Sequence, residues 1–466
     1  MRPLLIAALV AYHAALLGIG VWASRRNRSG ADFFLGGRGL GPWVGALAAS
    51  AASSSAWTLL GVSGAAFQYG LGAVWLFPGC VGGFALNWFL VGPRLRRASR
   101  ESGAVTLVEF LAQGQGPRAG RRFTVSAALV VLLSLAVYVA AQFQAVGKTF
   151  HAAFGLDFRL AVLLGGGVVL FYTMSGGFWA VTVTDLVQGL VMAAAAALVP
   201  ICALAAAGGP GELLGRLRAV DPVLLDPFRG MAPAAALGMV LGLLGIGLGY
   251  PGQPHVVDKY MALRDAAALR RARVIAMAWA VVIYGGMLVT GWCGRVLAAS
   301  LEDPETVLFR VTAQVFPAVM AGVVVAAVLS AIMSTVDSQL LVCSATLAHD
   351  LRGAHGGNVG VRGSRAAVLG IALAAIVAAL YVRETLFNTV LFAWSALGAA
   401  FGPLLLVRLW RGPVRPGFAL AALWSGFLLS VAWYFTDALK SRLYELLPAF
   451  SVALALAWLG ARPPPR

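Results

Sequence analysis

The chain reads as one all-helical integral membrane domain of about thirteen transmembrane helices, and three observations predict it. Of its 466 residues 60% are hydrophobic and 11% charged, with a mean hydropathy of +0.85; an average soluble domain has roughly 25% charged residues. Apolar runs near the length of about 20 residues that a spanning helix needs recur along the whole sequence. The basic residues gather in short segments between those runs rather than in one tail or patch.

The expected spans are 3–23, 43–68, 73–93, 123–149, 160–176, 181–207, 231–254, 274–298, 317–346, 366–382, 387–408, 417–436 and 446–460. The first is apolar from Leu4 to Val21, with Arg2 before it and three arginines, Arg25, Arg26 and Arg28, after it. That polarity suits a spanning helix and not a cleaved leader. An odd number of spans puts the termini on opposite sides. With the N-terminus outside, the cytoplasmic segments and their edges hold 24 of the 35 lysines and arginines. The positive-inside rule therefore predicts an external N-terminus and a cytoplasmic C-terminus in the inner membrane. The formal charge of +17 is explained by that distribution, and nucleic acid is not an expected partner.

Catalytic classes find no support in the pattern. Cys80, Cys202, Cys293 and Cys343 fall in apolar runs with no CxxC pair, and the five histidines form no HExxH motif. An enzyme is not expected. The expected partners are the lipid bilayer and a small-molecule solute.

Ionisable groups at membrane depth are costly and usually functional. Only Asp185 and Asp337 fall inside expected spans, and no lysine or arginine lies deep enough to pair with them; Lys148 and Arg295 sit near helix ends. Two unpaired carboxylates suggest a cation site, with protonated or serine-satisfied structural carboxylates as the alternative. Ser330, Ser334, Thr335, Asp337 and Ser338 recur at helical spacing in the ninth span, so most share one face. Hydroxyls and carboxylates are the oxygen ligands that hard cations prefer; hydroxyls also serve ordinary helix contacts.

Two spans are poor candidates for regular helix. The second carries Ser50, Ser53, Ser54, Ser55 and Thr58; the seventh runs Gly242, Gly245, Gly247, Gly249, Tyr250, Pro251, Gly252, Gln253, Pro254. Unwound backbone survives at membrane depth only where it is buried or lines a cavity. Broken helices at matching places in two halves point to a transporter's central site. They match if spans 2–6 (about 43–207) and 7–11 (about 231–408) are five-helix inverted repeats, leaving 3–23, 417–436 and 446–460 as additional helices.

Five strings, in order along the chain, resemble the sodium:solute symporter family. They are Asp32–Arg38 (DFFLGGR), Gly176–Asp185 (GGFWAVTVTD), Gly247–His255 (GLGYPGQPH), Ser334–Ser344 (STVDSQLLVCS) and Phe392–Pro403 (FAWSALGAAFGP). The resemblance implies a leucine-transporter-like fold with a five-plus-five inverted repeat and discontinuous helices. It also implies sodium as the co-transported ion, bound by backbone carbonyls of Ala51, Ser54 and Ala331 and hydroxyls of Ser334 and Thr335. A second cation is implied near Asp185, Ser334, Asp337 and Ser338. The solute would lie by Ser55, Trp57, Tyr138, Gln142, Tyr250 and Pro254, with proline first among amino acids. A small carboxylate such as pantothenate or a monocarboxylate, proton coupling, and a transporter-like membrane sensor are the alternatives. Two departures bear on this: proline-transporting members carry aspartate where this chain has Ser53, and tryptophan where it has Ile246.

Overall fold

The structure is a computed structural model that describes residues 2–24, 35–173, 178–298, 300–351, 361–381 and 384–462. Of the strings quoted above, 32–34 and 176–177 lie outside the described residues. Regular structure among the described residues is helical, with isolated bridges only at Leu40–Leu263 and Val414–Ala461.

In chain order the helices are α1 (Arg2–Ser24), α2 (Pro42–Ser53), α3 (Val62–Tyr69), α4 (Leu76–Ala85), α5 (Gly92–Ser102), α6 (Leu107–Ala112), α7 (Pro117–Phe154), α8 (Phe158–Thr173), α9 (Phe178–Ala206) and α10 (Gly209–Val220). They continue with α11 (Pro233–Gly245), α12 (Pro254–Ala262), α13 (Ala266–Leu297), α14 (Val307–Val315), α15 (Ala318–Ala345), α16 (Val361–Ala379), α17 (Leu386–Trp410), α18 (Pro416–Tyr434) and α19 (Leu446–Leu459). Every expected span overlaps helix among the described residues. Among the described residues, eight stretches are long and apolar enough to cross a membrane by length and composition, and four further apolar helices are shorter. The short helices α6, α10 and α14 fall in segments read from the sequence as loops.

Position in the bundle follows from burial. The apolar stretches of α17 and α15 are 89% and 78% buried, that of α18 only 28%. The inner helices therefore carry the polar residues, and the outer ones present leucine, valine and phenylalanine to lipid, such as Leu163, Phe171 and Leu428.

Both suspect spans are broken. Helix α2 stops at Ser53; Ser54 leaves helical geometry (φ −118°, ψ 76°), and the chain resumes through a wide π turn at Trp57–Gly61 into α3. Serine hydroxyls offer the backbone local alternatives to the helical ladder. Here Ser53 Oγ donates to Ser50 O at 2.9 Å, and Ser55 Oγ accepts from Trp57 N at 3.2 Å. Helix α11 ends at Gly245 and gives way to a tight 3₁₀ turn at Ile246–Gly252; Gln253 is extended, and Pro254 opens α12. Pro251 and Pro254 lack amide donors and disfavour helix at the residue before them. Gly252 is required by proximity: a Cβ there would stand 2.7 Å from Gly398 Cα on α17.

Charged residues placed in loops by the sequence prove partly buried. Glu305, in the segment between α13 and α14, is 4% exposed. Its carboxylate accepts from Leu386 N (3.1 Å) and Phe387 N (2.8 Å), the first free donors of α17, and pairs with Lys148. Lys148 also meets Asp303 at 2.7 Å, so it is an ion-pair partner rather than a snorkelling end. A helix N-terminus has unsatisfied N–H groups and a positive dipole end, which explains the choice of a carboxylate there. At the other end of the bundle, Thr106 caps α6 by accepting from Glu109 N and donates to Asp350 at 2.7 Å. Arg100 reaches the carbonyls of Leu263 (2.9 Å) and Arg264.

Candidate functional site

The break in α2 faces the middle of α15. Ala51 O, released from the helical ladder, accepts from Ser54 N at 3.1 Å and from Ser334 Oγ at 3.2 Å. Ser334 Oγ also lies 3.4 Å from Ala331 O. Thr335, the next residue on α15, is fully buried, and its hydroxyl has no hydrogen-bond partner among the described residues. Ala51, Ser54, Ala331 and Ser334, four of the five residues expected at the first cation site, therefore meet where an unwound segment faces α15, and Thr335 follows Ser334 in the chain. Their donor set is neutral: carbonyls and hydroxyls. Such a set suits a weakly held monovalent ion that must be released. No group of three or more His, Cys, Asp or Glu side chains able to hold a metal occurs among the described residues. The buried Thr335 hydroxyl without a partner costs about 1–3 kcal/mol, so a cation that it binds offsets a real penalty.

The second cluster lies one turn further along α15 and corrects a sequence-based expectation. Asp185 on α9 is not unpaired: Lys259 Nζ lies 3.2 Å from its Oδ2, and Ser338 Oγ lies 3.5 Å from the same oxygen. Lys259 Nζ also donates to Thr182 Oγ1 at 3.3 Å and sits 4.7 Å from the Phe178 ring centroid. The lysine is 2% exposed and the aspartate fully buried. The sequence places Lys259 in a cytoplasmic loop because the seventh apolar run ends at the prolines. Pro254 instead restarts the helix at once, so α12 stays within the bundle and carries the ammonium inward. Asp337, the residue before Ser338, is also buried, at 1% exposure.

The residues expected around the solute divide into two groups. Ser55, Tyr138 and Gln142 meet: Tyr138 OH donates to Ser55 Oγ at 3.4 Å, and Gln142 Oε1 accepts from Ala56 N at 3.1 Å. Gln142 thus holds the broken segment open by satisfying one of its stray amides. Trp57 and Tyr250 pack elsewhere. Trp57 stacks at a tilt on Phe387 (5.4 Å between centroids). Tyr250 OH bonds Tyr284 OH at 2.8 Å, its ring lying edge-on to Trp394 at 4.7 Å. Pro254 is the first residue of α12.

Two residues the sequence reading did not assign to the site are central to its geometry. Trp394 Nε1 donates to Ile246 O at 3.0 Å, and Gln253 Nε2 donates to Trp394 O at 3.0 Å and Gly249 O at 3.2 Å. Together they satisfy the carbonyls that the α11 break releases. His255 is 1% exposed with neither ring nitrogen hydrogen-bonded among the described residues, and its ring meets Tyr138 edge-on at 6.1 Å. It lines a small pocket with Thr106, Phe178, Asp258, Lys259 and Ser338. Lys259 follows His255 by one helical turn, a spacing that would have placed both on one face had α12 been recognised as helix.

A sequence model of the sodium:solute symporter family matches residues 33–426. The osmoregulated proline transporter of Bacillus subtilis (strain 168) is 36% identical over 462 residues, covering 97% of this chain and 93% of that one. The sodium/proline symporter of Staphylococcus aureus (strain JH9) is 32% identical over 475 residues, covering 97% and 91%. Among solved structures, a substrate-bound outward-open Na+-coupled sialic acid symporter superposes with a TM-score of 0.80, covering 98% of this chain and 97% of that one at 18% identity. At that identity the likeness carries the fold, which is leucine-transporter-like.

Proposed function

The chain belongs to the sodium:solute symporter family, and from that premise we propose that it imports proline with sodium by alternating access. Sodium coupling is the family's property, and the relatives named above are transporters. Proline is this chain's proposed solute because two proline-transporting relatives share about a third of its residues across nearly its full length.

One observation carries the mechanism: Ser334 Oγ on α15 bonds the freed carbonyl of Ala51 at the α2 break. A sodium ion held by Ala51, Ser54, Ala331, Ser334 and Thr335 would tie the broken segment to the facing helix. The same segment presents Ser55 to Tyr138 and its Ala56 amide to Gln142. Ion binding therefore orders the backbone that receives the solute, and the coupling runs through residues 51–56. A neutral cluster has no group that exchanges a proton, which supports sodium over proton coupling at this site. Ser53, whose hydroxyl is spent on Ser50 O, leaves the ion without the extra carboxylate of proline-transporting members.

The repeats are read as 43–207 and 231–408, with an external N-terminus, a cytoplasmic C-terminus and residence in the inner membrane. The charge distribution supports that orientation. A negative interior then adds about 2.3 kcal/mol per sodium at 100 mV to the driving force. The test is uptake of radiolabelled proline into proteoliposomes. A sodium gradient is expected to drive accumulation; uptake unaffected by imposed sodium gradients would remove the reading. Competition by pantothenate or a monocarboxylate in place of proline would redirect the solute while leaving sodium coupling intact.

A further inference from the structure

The oxygens around Asp185 have the composition of a cation site, and they already hold a cation that belongs to the chain. The Lys259 ammonium has three N–H groups. Nζ lies 3.2 Å from Asp185 Oδ2, 3.3 Å from Thr182 Oγ1 and 4.7 Å from the centroid of the Phe178 ring. A carboxylate, a hydroxyl and a π face thus replace its hydration shell. Ser338 Oγ approaches the same carboxylate oxygen at 3.5 Å. Side-chain exposure is 2% for the lysine and zero for the aspartate, so solvent screens neither charge.

We propose that Lys259 is a tethered cation that permanently occupies the second cation position, so that this chain carries one sodium ion per solute. The proposal deepens the sodium-site reading above and rests on it. A mobile sodium beside Asp185 would either share the carboxylate with the ammonium, two like charges a few ångströms apart without solvent screening, or displace it and leave a buried charge with no partner, the strongly unfavourable way to break a buried pair. Sodium at the Ala51–Ser334 cluster meets no such obstacle, because no chain cation contacts those oxygens in the described structure. The carboxylate retains capacity for an ion once the lysine is removed: Asp185 Oδ1 has no hydrogen-bond partner among the described residues. Lys259, Phe178 and Ser338 also line a small pocket, with Asp258 and His255 on the same wall.

The test counts bound ions rather than transported solute, and so stands apart from whether proline is the substrate. Equilibrium binding of radioactive sodium is measured on the purified full-length protein, on Lys259→Met and on Lys259→Arg. The wild type and Lys259→Arg are expected to bind one sodium per chain with a hyperbolic isotherm, and Lys259→Met to bind twice as much. Adding Ser334→Ala to Lys259→Met should weaken the first ion roughly 10–100-fold and spare the second. Two ions bound by the wild type, or one by a Lys259→Met protein that elutes and melts as a folded species, would overturn the proposal. Should Lys259→Met fail to fold, Ser334→Ala in the otherwise wild-type chain decides: it is expected to weaken sodium binding roughly 10–100-fold, and an ion still bound with wild-type affinity overturns the tethered-cation assignment. A wild type that binds no sodium defeats the sodium-site reading and the proposal together, whereas sodium binding without proline uptake defeats only the choice of solute.

Discussion

Two oxygen clusters lie one helical turn apart on α15, and they treat charge in opposite ways. Around Ser334 the groups are neutral, and the helix opposite is unwound so that a carbonyl is free to bind. Around Ser338 a carboxylate is met by an ammonium from α12, and both are sealed from solvent. The neutral cluster can gain an ion and lose it again at modest cost. The charged cluster is already balanced, and disturbing either partner leaves a bare charge. On the proposed reading, placing both on a single helix makes one the ion-exchanging site and leaves the other to hold three helices, α9, α12 and α15, together.

The sharpest way to break this comparison is to remove one partner of the charged cluster. Asp185→Ala strands the Lys259 ammonium and is expected to cost about 3–5 kcal/mol of stability, read as a large fall in thermal midpoint in detergent. Asp185→Ala with Lys259→Met should recover most of it, and a double variant as unstable as the single would show that the pair is not what matters. Next in size, Ser334→Ala removes a neutral ligand worth about 1–3 kcal/mol. Sodium half-saturation of uptake should rise roughly 10–100-fold while the thermal midpoint in the absence of sodium stays close to wild type. A shift of stability without a shift in sodium dependence would reverse the roles of the two clusters.

Smaller effects sharpen the link from the ion to the solute. Gln142→Ala leaves the Ala56 amide without its acceptor, a loss of about 1–2 kcal/mol. It is expected to raise the KM for solute about tenfold with little change in sodium half-saturation. The smallest is Trp394→Phe, which keeps the packing against Tyr250 but deprives Ile246 O of its donor, at about 1 kcal/mol. Faster amide exchange confined to 246–253 is the expected signature. Protection unchanged there would mean that Gln253 alone holds the turn.

Much of this was legible in the order of residues. Long apolar runs cannot be dissolved in water and cannot leave backbone groups unpaired in lipid, so they become spanning helices wherever they are placed. The serines at 50–55 and the glycines and prolines at 245–254 weaken a helix locally, and the structure breaks at those points. The hydroxyls at 330–338 share a face by helical geometry alone, so a polar seam on α15 followed from spacing. These are short-range consequences, carried by residues within a turn or two of one another.

Lys259 and Glu305 belong to the other kind. Each reads as a loop residue by composition, and each proves buried because a distant segment supplies the opposite charge or the free amides: Asp185, 74 positions away, for one, and the start of α17, some 80 positions away, for the other. Hydropathy averages over neighbours in sequence, whereas the energy of a buried charge is set by neighbours in space. Which helices exist and where they fail could therefore be read from the chain itself. Which carboxylate is balanced, and by what, was settled only when the helices packed.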